Sequence, residues 1–174
     1  MDIYDELGVR KVINGIATVT SLGGSIMPPE ILSAMFEAAQ HFVDIDELQK
    51  KVGEKIAELT RNEAAYISCG AAAGLVLSTA ACIAGMDPEK RERLPNTEGM
   101  KNEVIIHKHG RSGYDFAIRQ VGAKIVEIGT EAGTSSEDME RAINEKTAAI
   151  FYFYNVTRMS GLVPLEQGVE IAKR

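Results

Sequence analysis

The chain has 174 residues, 45% of them hydrophobic and 25% charged, with no low-complexity tract, so it is long enough for one ordinary domain with a sizeable core. A net charge of −6 argues against a protein whose main surface binds nucleic acid, though not against a local basic groove. Its two cysteines, Cys69 and Cys82, lack pairing or metal spacing and are expected as reduced thiols in the core; no signal peptide or membrane-length apolar run is visible, so a cytoplasmic location is expected.

Asp2 to Arg10 reads as a short polar helix, followed by Lys11-Val12-Ile13-Asn14 and a Gly/Thr/Ser-rich stretch, Gly15 to Ser25, without helical or strand period. Pro28-Pro29 opens a helix carrying Ile31, Ala34, Met35, Ala38 and Phe42 at helical spacing. Asp44 caps the next, whose stripe Ile45, Leu48, Val52, Ile56 and Leu59 reads as core packing. Ala64 to Ser68 is a short apolar run read as a buried strand. It leads through Cys69-Gly70-Ala71-Ala72-Ala73-Gly74 into an apolar helix ending near Gly85.

Gly85 to Lys101 is polar and reads as a surface excursion. Strands then alternate with helices: strand Glu103–His107, a helix with Tyr114, Ala117, Ile118 and Val121, strand Lys124–Ile128, helix Ser135–Glu145, and strand Thr147–Tyr154. A last helix opens at Pro164, with Leu165, Val169 and Ala172 on one side. That alternation predicts an α/β fold with a mostly parallel sheet flanked by helices. Ligands of such sheets bind beyond the carboxyl ends of strands, which singles out the loops Cys69–Ala73, Lys108–Tyr114 and Asn155–Gly161.

From Gly70 to Ala73 no side chain exceeds a methyl group, so backbone N–H groups at a helix start are open to a phosphate. The alternative is a crossover helix that needs small residues for close packing. Neither G-x-x-x-x-G-K-[ST] nor G-x-G-x-x-G is present, which leaves a single phosphate of a cofactor or sugar rather than a nucleotide. His107 and His109 fall where a strand gives way to a loop; strand alternation would put them on one side, unless His109 is already off the strand. An imidazole there could stack on a flat ring and Arg111 could hold an anion, the alternative being a solvated loop. Asn155 and Thr157, ending the strongest strand, could donate to a ligand oxygen or form an Asx-type turn. No spacing supports a metal site or a catalytic triad.

The order of these loops resembles fold-type I pyridoxal-5′-phosphate (PLP) enzymes. Within that superfamily it is most similar to the selenocysteine-synthase-like group of L-seryl-tRNA selenium transferases and D-glucosaminate-6-phosphate ammonia-lyases. The resembling stretches are Leu7–Asn14, Leu22–Glu30, Phe42–Ile45, Ser68–Gly74, and Gly113–Asp115 through Gly122–Gly129. The resemblance implies the N-terminal half of an aspartate aminotransferase-like large domain. Residues 1–45 would be an N-terminal arm and substrate-side segment, and 46–174 the first part of the PLP-binding domain.

It further implies that the backbone of Gly70, Ala71 and Ala72 holds the cofactor phosphate, His109 stacks on the pyridine ring and Asn155 bonds the phenolic oxygen. Thr20 and Gly23 would line the substrate side, across a dimer interface, and Arg111 or Arg158 would bind a substrate carboxylate or phosphate. The family's Schiff-base Lys and its Asp on the pyridine nitrogen are expected beyond Arg174, so the 174 residues alone are expected to be inactive. A homodimer or higher oligomer acting on a small molecule is implied, with no membrane or nucleic-acid partner. The expected activity of the full enzyme is α,β-elimination on a small amino acid or amino-sugar phosphate. PLP-dependent selenium or sulfur transfer on aminoacyl-tRNA, and a non-catalytic phosphate-binding module, are the alternatives.

Overall fold

Strand formation in this chain follows the apolar runs that find a neighbour to pair with. A computed structural model describes residues 2–153 and 161–173. They fall into two compact units, Met1–Tyr66 and Ile67–Arg174.

In the first unit, α1 (Ile3–Glu6) starts at a capping box in which Asp2 and Asp5 each accept the other's backbone amide. A 3-10 turn, Thr20–Leu22, closes at Gly23, whose φ of 88° suits glycine, and an isolated bridge joins Val19 to Gly24. Pro29 opens α2 (Pro29–Ala38), and the Asp44 carboxylate caps α3 (Ile45–Thr60) by accepting from the Glu47 amide at 2.9 Å. The stripe expected to pack in a core does not do so here. Ile45 and Leu59 are largely exposed, and the buried residues of α3 are Gly53 and Ala57, because the Ala65 carbonyl lies where a side chain on Gly53 would stand. Ile13, Ile26 and Phe42 are also fully exposed.

The second unit holds α4 (Ala71–Ala84), α5 (Pro88–Arg93), β1 (Glu103–His107), α6 (Phe116–Arg119), β2 (Lys124–Ile128), α7 (Ser136–Ala142), β3 (Thr147–Phe151) and α8 (Leu165–Ala172). The three strands form a parallel sheet of order β2-β1-β3. Register runs Glu103↔Lys124 to His107↔Ile128 on one side of β1. On the other it runs Val104↔Ala149 to Ile106↔Phe151, after an irregularity between Glu103 and Val104. β1 is central and its side chains alternate between two cores. Val104 and Ile106 pack with Ile83 of α4 and Ile118 of α6; Ile105 packs with Met139 of α7 and Ile171 of α8.

Several expectations change. Ala64–Ser68 is irregular rather than a strand, with Tyr66 and Ile67 exposed: a strand needs a ladder, and the sheet's members are β1, β2 and β3. Cys69 and Cys82 are free thiols but exposed, not packed in the core. The Gly85–Lys101 excursion contains α5, capped by Asp87, and sends Thr97 and Met100 inward. α8 buries Gly168 and Ile171 while Leu165 and Val169 stay exposed, since Tyr152 occupies the space beside Gly168. Among the described residues no helix is long and apolar enough to cross a membrane.

The turn into β2 is held by a buried relay. Asn102 Nδ2 donates to Thr97 Oγ1 at 2.8 Å, and that hydroxyl donates to the Gly122 carbonyl at 3.0 Å. Gly122 has φ 85°, and a Cβ there would collide with the Pro95 carbonyl and lie 2.9 Å from Thr97 Cγ2. Gly122→Ala combines backbone strain with a clash against backbone. It is expected to cost more than about 2 kcal/mol in urea unfolding, whereas a loss below about 0.5 kcal/mol would contradict this packing.

Candidate functional site at the carboxyl edge of the sheet

Because all three strands run parallel, the segments that follow them emerge at one edge. β1 ends at His107, and residues Lys108–Gly110 form a 3-10 turn. His109 therefore leaves the strand's alternation, which is the second of the two sequence expectations rather than the shared side. His107 is 2% exposed and meets Tyr152 edge-on, ring centroids 4.7 Å apart at 67°. Neither of its ring nitrogens has a partner among the described residues, and burial lowers its pKa from the usual imidazole value.

His109 is half-buried. Its Nδ1 lies 2.7 Å from the backbone carbonyl of Glu131, in the segment after β2, and Lys108 Nζ is 3.7 Å from the Glu131 carboxylate. Arg111 pairs through Nε with Asp115 and through Nη1 with Glu127 of β2, the latter at 2.5 Å. Asp115 is a buried carboxylate at the start of α6, and its hydrogen bond is the main cause that raises the Arg111 pKa above its ordinary value. The guanidinium expected to meet a substrate anion is thus engaged by two protein carboxylates. The sequence reading missed Asp115, Glu127 and Glu131. The i,i+4 spacing of Arg111 and Asp115 was the available signal; the contacts to β2 depend on sheet order.

The start of α4 is open. Its ladder begins with the Gly74 amide donating to the Gly70 carbonyl at 3.0 Å, so the amides of Ala71, Ala72 and Ala73 have no partner within the helix. Gly70 has φ 137°, and a Cβ on it would meet nothing within 4 Å. Ala71 and Ala72 are exposed, so the small residues at 70–72 are not explained by close packing here. Three amides, a 14-residue helix dipole and open space suit a phosphate, and a half-buried imidazole with one nitrogen anchored suits a flat ring. Among the described residues no hydrogen bond links the α4 start to His109. Thr20 and Gly23 are exposed in the first unit. Asn155 and Arg158 lie outside the described residues.

Comparison with known proteins sharpens this picture. No family model matches the chain. It is 36% identical, over 99% of its length, to a D-glucosaminate-6-phosphate ammonia lyase of Salmonella typhimurium, of which it covers 48%. A solved structure of D-glucosaminate-6-phosphate ammonia-lyase superposes on 99% of the chain with a TM-score of 0.94 and 36% identity, again over 48% of that structure. A 5′-C-glycyluridine monooxygenase-decarboxylase of Streptomyces sp is 33% identical over 98% of this chain and 44% of its own length. An L-seryl-tRNA(Sec) selenium transferase of Alkaliphilus oremlandii is 32% identical over 84% and 32%. These proteins are its homologues. The α/β fold expected from the sequence matches that of the solved ammonia-lyase, and the chain spans about half or less of the curated relatives it matches.

The His107 environment has a consequence for pH. A depressed folded-state pKa means that the unfolded chain binds the proton first. The stability is therefore present above the ordinary imidazole pKa of about 6.5 and is lost as pH falls through the lowered folded value. In urea unfolding, the wild type is expected to lose stability on acidification from neutral pH, and His107→Leu to show a flatter profile. Equal slopes in the two proteins would contradict a buried neutral His107.

Proposed function

We propose that the chain supplies the N-terminal, cofactor-holding part of a PLP-dependent lyase that acts on a small amino acid or amino-sugar phosphate by α,β-elimination. The observation that carries this reading is the match to the ammonia-lyase over 99% of the chain with a TM-score of 0.94. In this reading the amides of the Gly70, Ala71 and Ala72 segment hold the phosphate, with the α4 dipole behind them. His109 lies against the ring and Asn155 donates to the phenolic oxygen. Thr20 and Gly23 line the substrate side across the proposed dimer interface, and Arg158 meets the substrate's carboxylate or phosphate, Arg111 being taken up by Asp115 and Glu127. Bound there, the cofactor withdraws electrons from the substrate's Cα, which weakens the bonds around that carbon.

A homodimer or higher oligomer in the cytoplasm is part of the same proposal; the exposed Ile13, Ile26 and Phe42 support association. The selenium transferases among the homologues support a second reading, transfer on aminoacyl-tRNA. A net charge of −6 favours the small substrate over a large nucleic-acid surface.

Two measurements test the proposal. Titrating the labelled chain with PLP is expected to move the amide resonances of Ala71, Ala72 and Ala73. Gly70→Val, strained at φ 137°, is expected to weaken binding at least about tenfold, or roughly 1.4 kcal/mol. Unmoved amides, or an unchanged affinity in the variant, would count against the phosphate site. A polypeptide of the relatives' full length is expected to release ammonia from D-glucosaminate-6-phosphate in the presence of PLP. Transfer to seryl-tRNA without ammonia release would decide for the second reading.

A further inference from the structure

We propose that Arg111 is a positioning residue: with Asp115 and Glu127 it staples the turn after β1 to β2, and so fixes the ring of His109 in one tautomer with Nε2 left as a hydrogen-bond acceptor. The staple has two ends. At one, Arg111 joins buried Asp115, whose side chain is 7% exposed, to Glu127 within β2. At the other, four residues along the same segment, Glu131 receives Lys108 at its carboxylate and His109 at its backbone carbonyl. A carbonyl oxygen only accepts, so the Nδ1 at 2.7 Å from it must carry the proton. In the neutral ring Nε2 then holds a lone pair, the opposite of the form a free imidazole favours. An acceptor at Nε2 selects a ligand with a hydroxyl or ammonium donor beside the flat group that the imidazole covers.

The strength of the clamp lies in its geometry. Arg111 spans two elements with separate donors, Nε and Nη1, which fixes the direction of the guanidinium as well as its distance. Lys108 and Glu131 are more exposed, at 45% and 79% of their side chains, and a single solvated pair of that kind holds little by itself. Arg111 is the half-buried member, at 32%, and the orientation of the turn depends on it.

This inference rests on reading His109 as the ring-facing residue, but its test needs no cofactor. Long-range proton–nitrogen spectra of the 15N-labelled chain report the tautomer of each of the three histidines, with His109→Gln assigning the signal. Under conditions where the ring is neutral, His109 is expected mainly as Nδ1–H. Arg111→Ala is expected to make Nε2–H the major form, and Arg111→Lys to keep Nδ1–H in the majority. Should Arg111→Ala fail to fold with Asp115 left unpaired, Glu127→Ala on the exposed side is expected to move the tautomer in the same direction. A wild-type His109 mainly in the Nε2–H form, or a tautomer unmoved in folded Arg111→Ala or Glu127→Ala, would overturn the assignment. PLP added to the same sample separates the two ideas: absence of binding with the tautomer intact removes the cofactor reading and leaves the staple standing.

Discussion

Parallel pairing on both sides of β1 is the constraint on which the second unit depends. Parallel neighbours cannot be joined by a tight turn, so the chain must cross back over the sheet each time, and α6 and α7 lie on those crossings. With Val104, Ile105 and Ile106 essentially inaccessible, each crossing has an apolar face to cover, α4 and α6 on one side and α7 and α8 on the other. The same pairing brings the chain out of the sheet at a common edge. There the turn after β1 meets the segment after β2, and the Thr134 amide donates to the Gly161 carbonyl at 2.7 Å. Position is set by the hydrophobic layers; chemistry is added by side chains that cost the core little.

His107 differs: it is a polar group carried into the packed layer with neither ring nitrogen hydrogen-bonded among the described residues. Its ring fills space against Tyr152, and the phenol lies 4.0 Å from the Met139 sulfur, so the α7/α8 side of the sheet is built around an aromatic pair where aliphatic residues would otherwise stand. Two residues farther on, an identical imidazole is half-buried and anchored to a carbonyl. The difference between His107 and His109 comes from the end of the strand: one residue obeys the pleat and goes inward, the other follows the 3-10 turn.

Much of this was legible in the sequence. The bounds of β1 and β2 follow from short apolar runs flanked by polar residues, and Asp44 announces its helix by capping chemistry. The Ala64–Ser68 segment shows the limits. It has strand composition, yet strand formation is a property of two segments rather than one, and its residues are irregular here. Burial was similarly misjudged at Leu48 and Leu59, where helical spacing identified an apolar face without identifying what covers it. The open, glycine-led start of α4 was readable because its argument is local: a helix start with unpaired amides and no side chains in the way. The Arg111 network was not, since Glu127 lies sixteen residues away and meets it only through the order β2-β1-β3.

The homologues' names span ammonia loss, selenium transfer and oxidative decarboxylation, so the shared scaffold does not by itself choose a reaction. The central claim is narrower: the start of α4 and the turn after β1 together hold one phosphorylated aromatic cofactor. A crystal structure of the chain grown with PLP tests it most directly. The account predicts the phosphate within hydrogen-bond distance of the Ala71 and Ala72 amides and the ring against His109, whose Nδ1 remains on the Glu131 carbonyl. A cofactor bound elsewhere, or a phosphate at α4 with its ring directed away from His109, would contradict it.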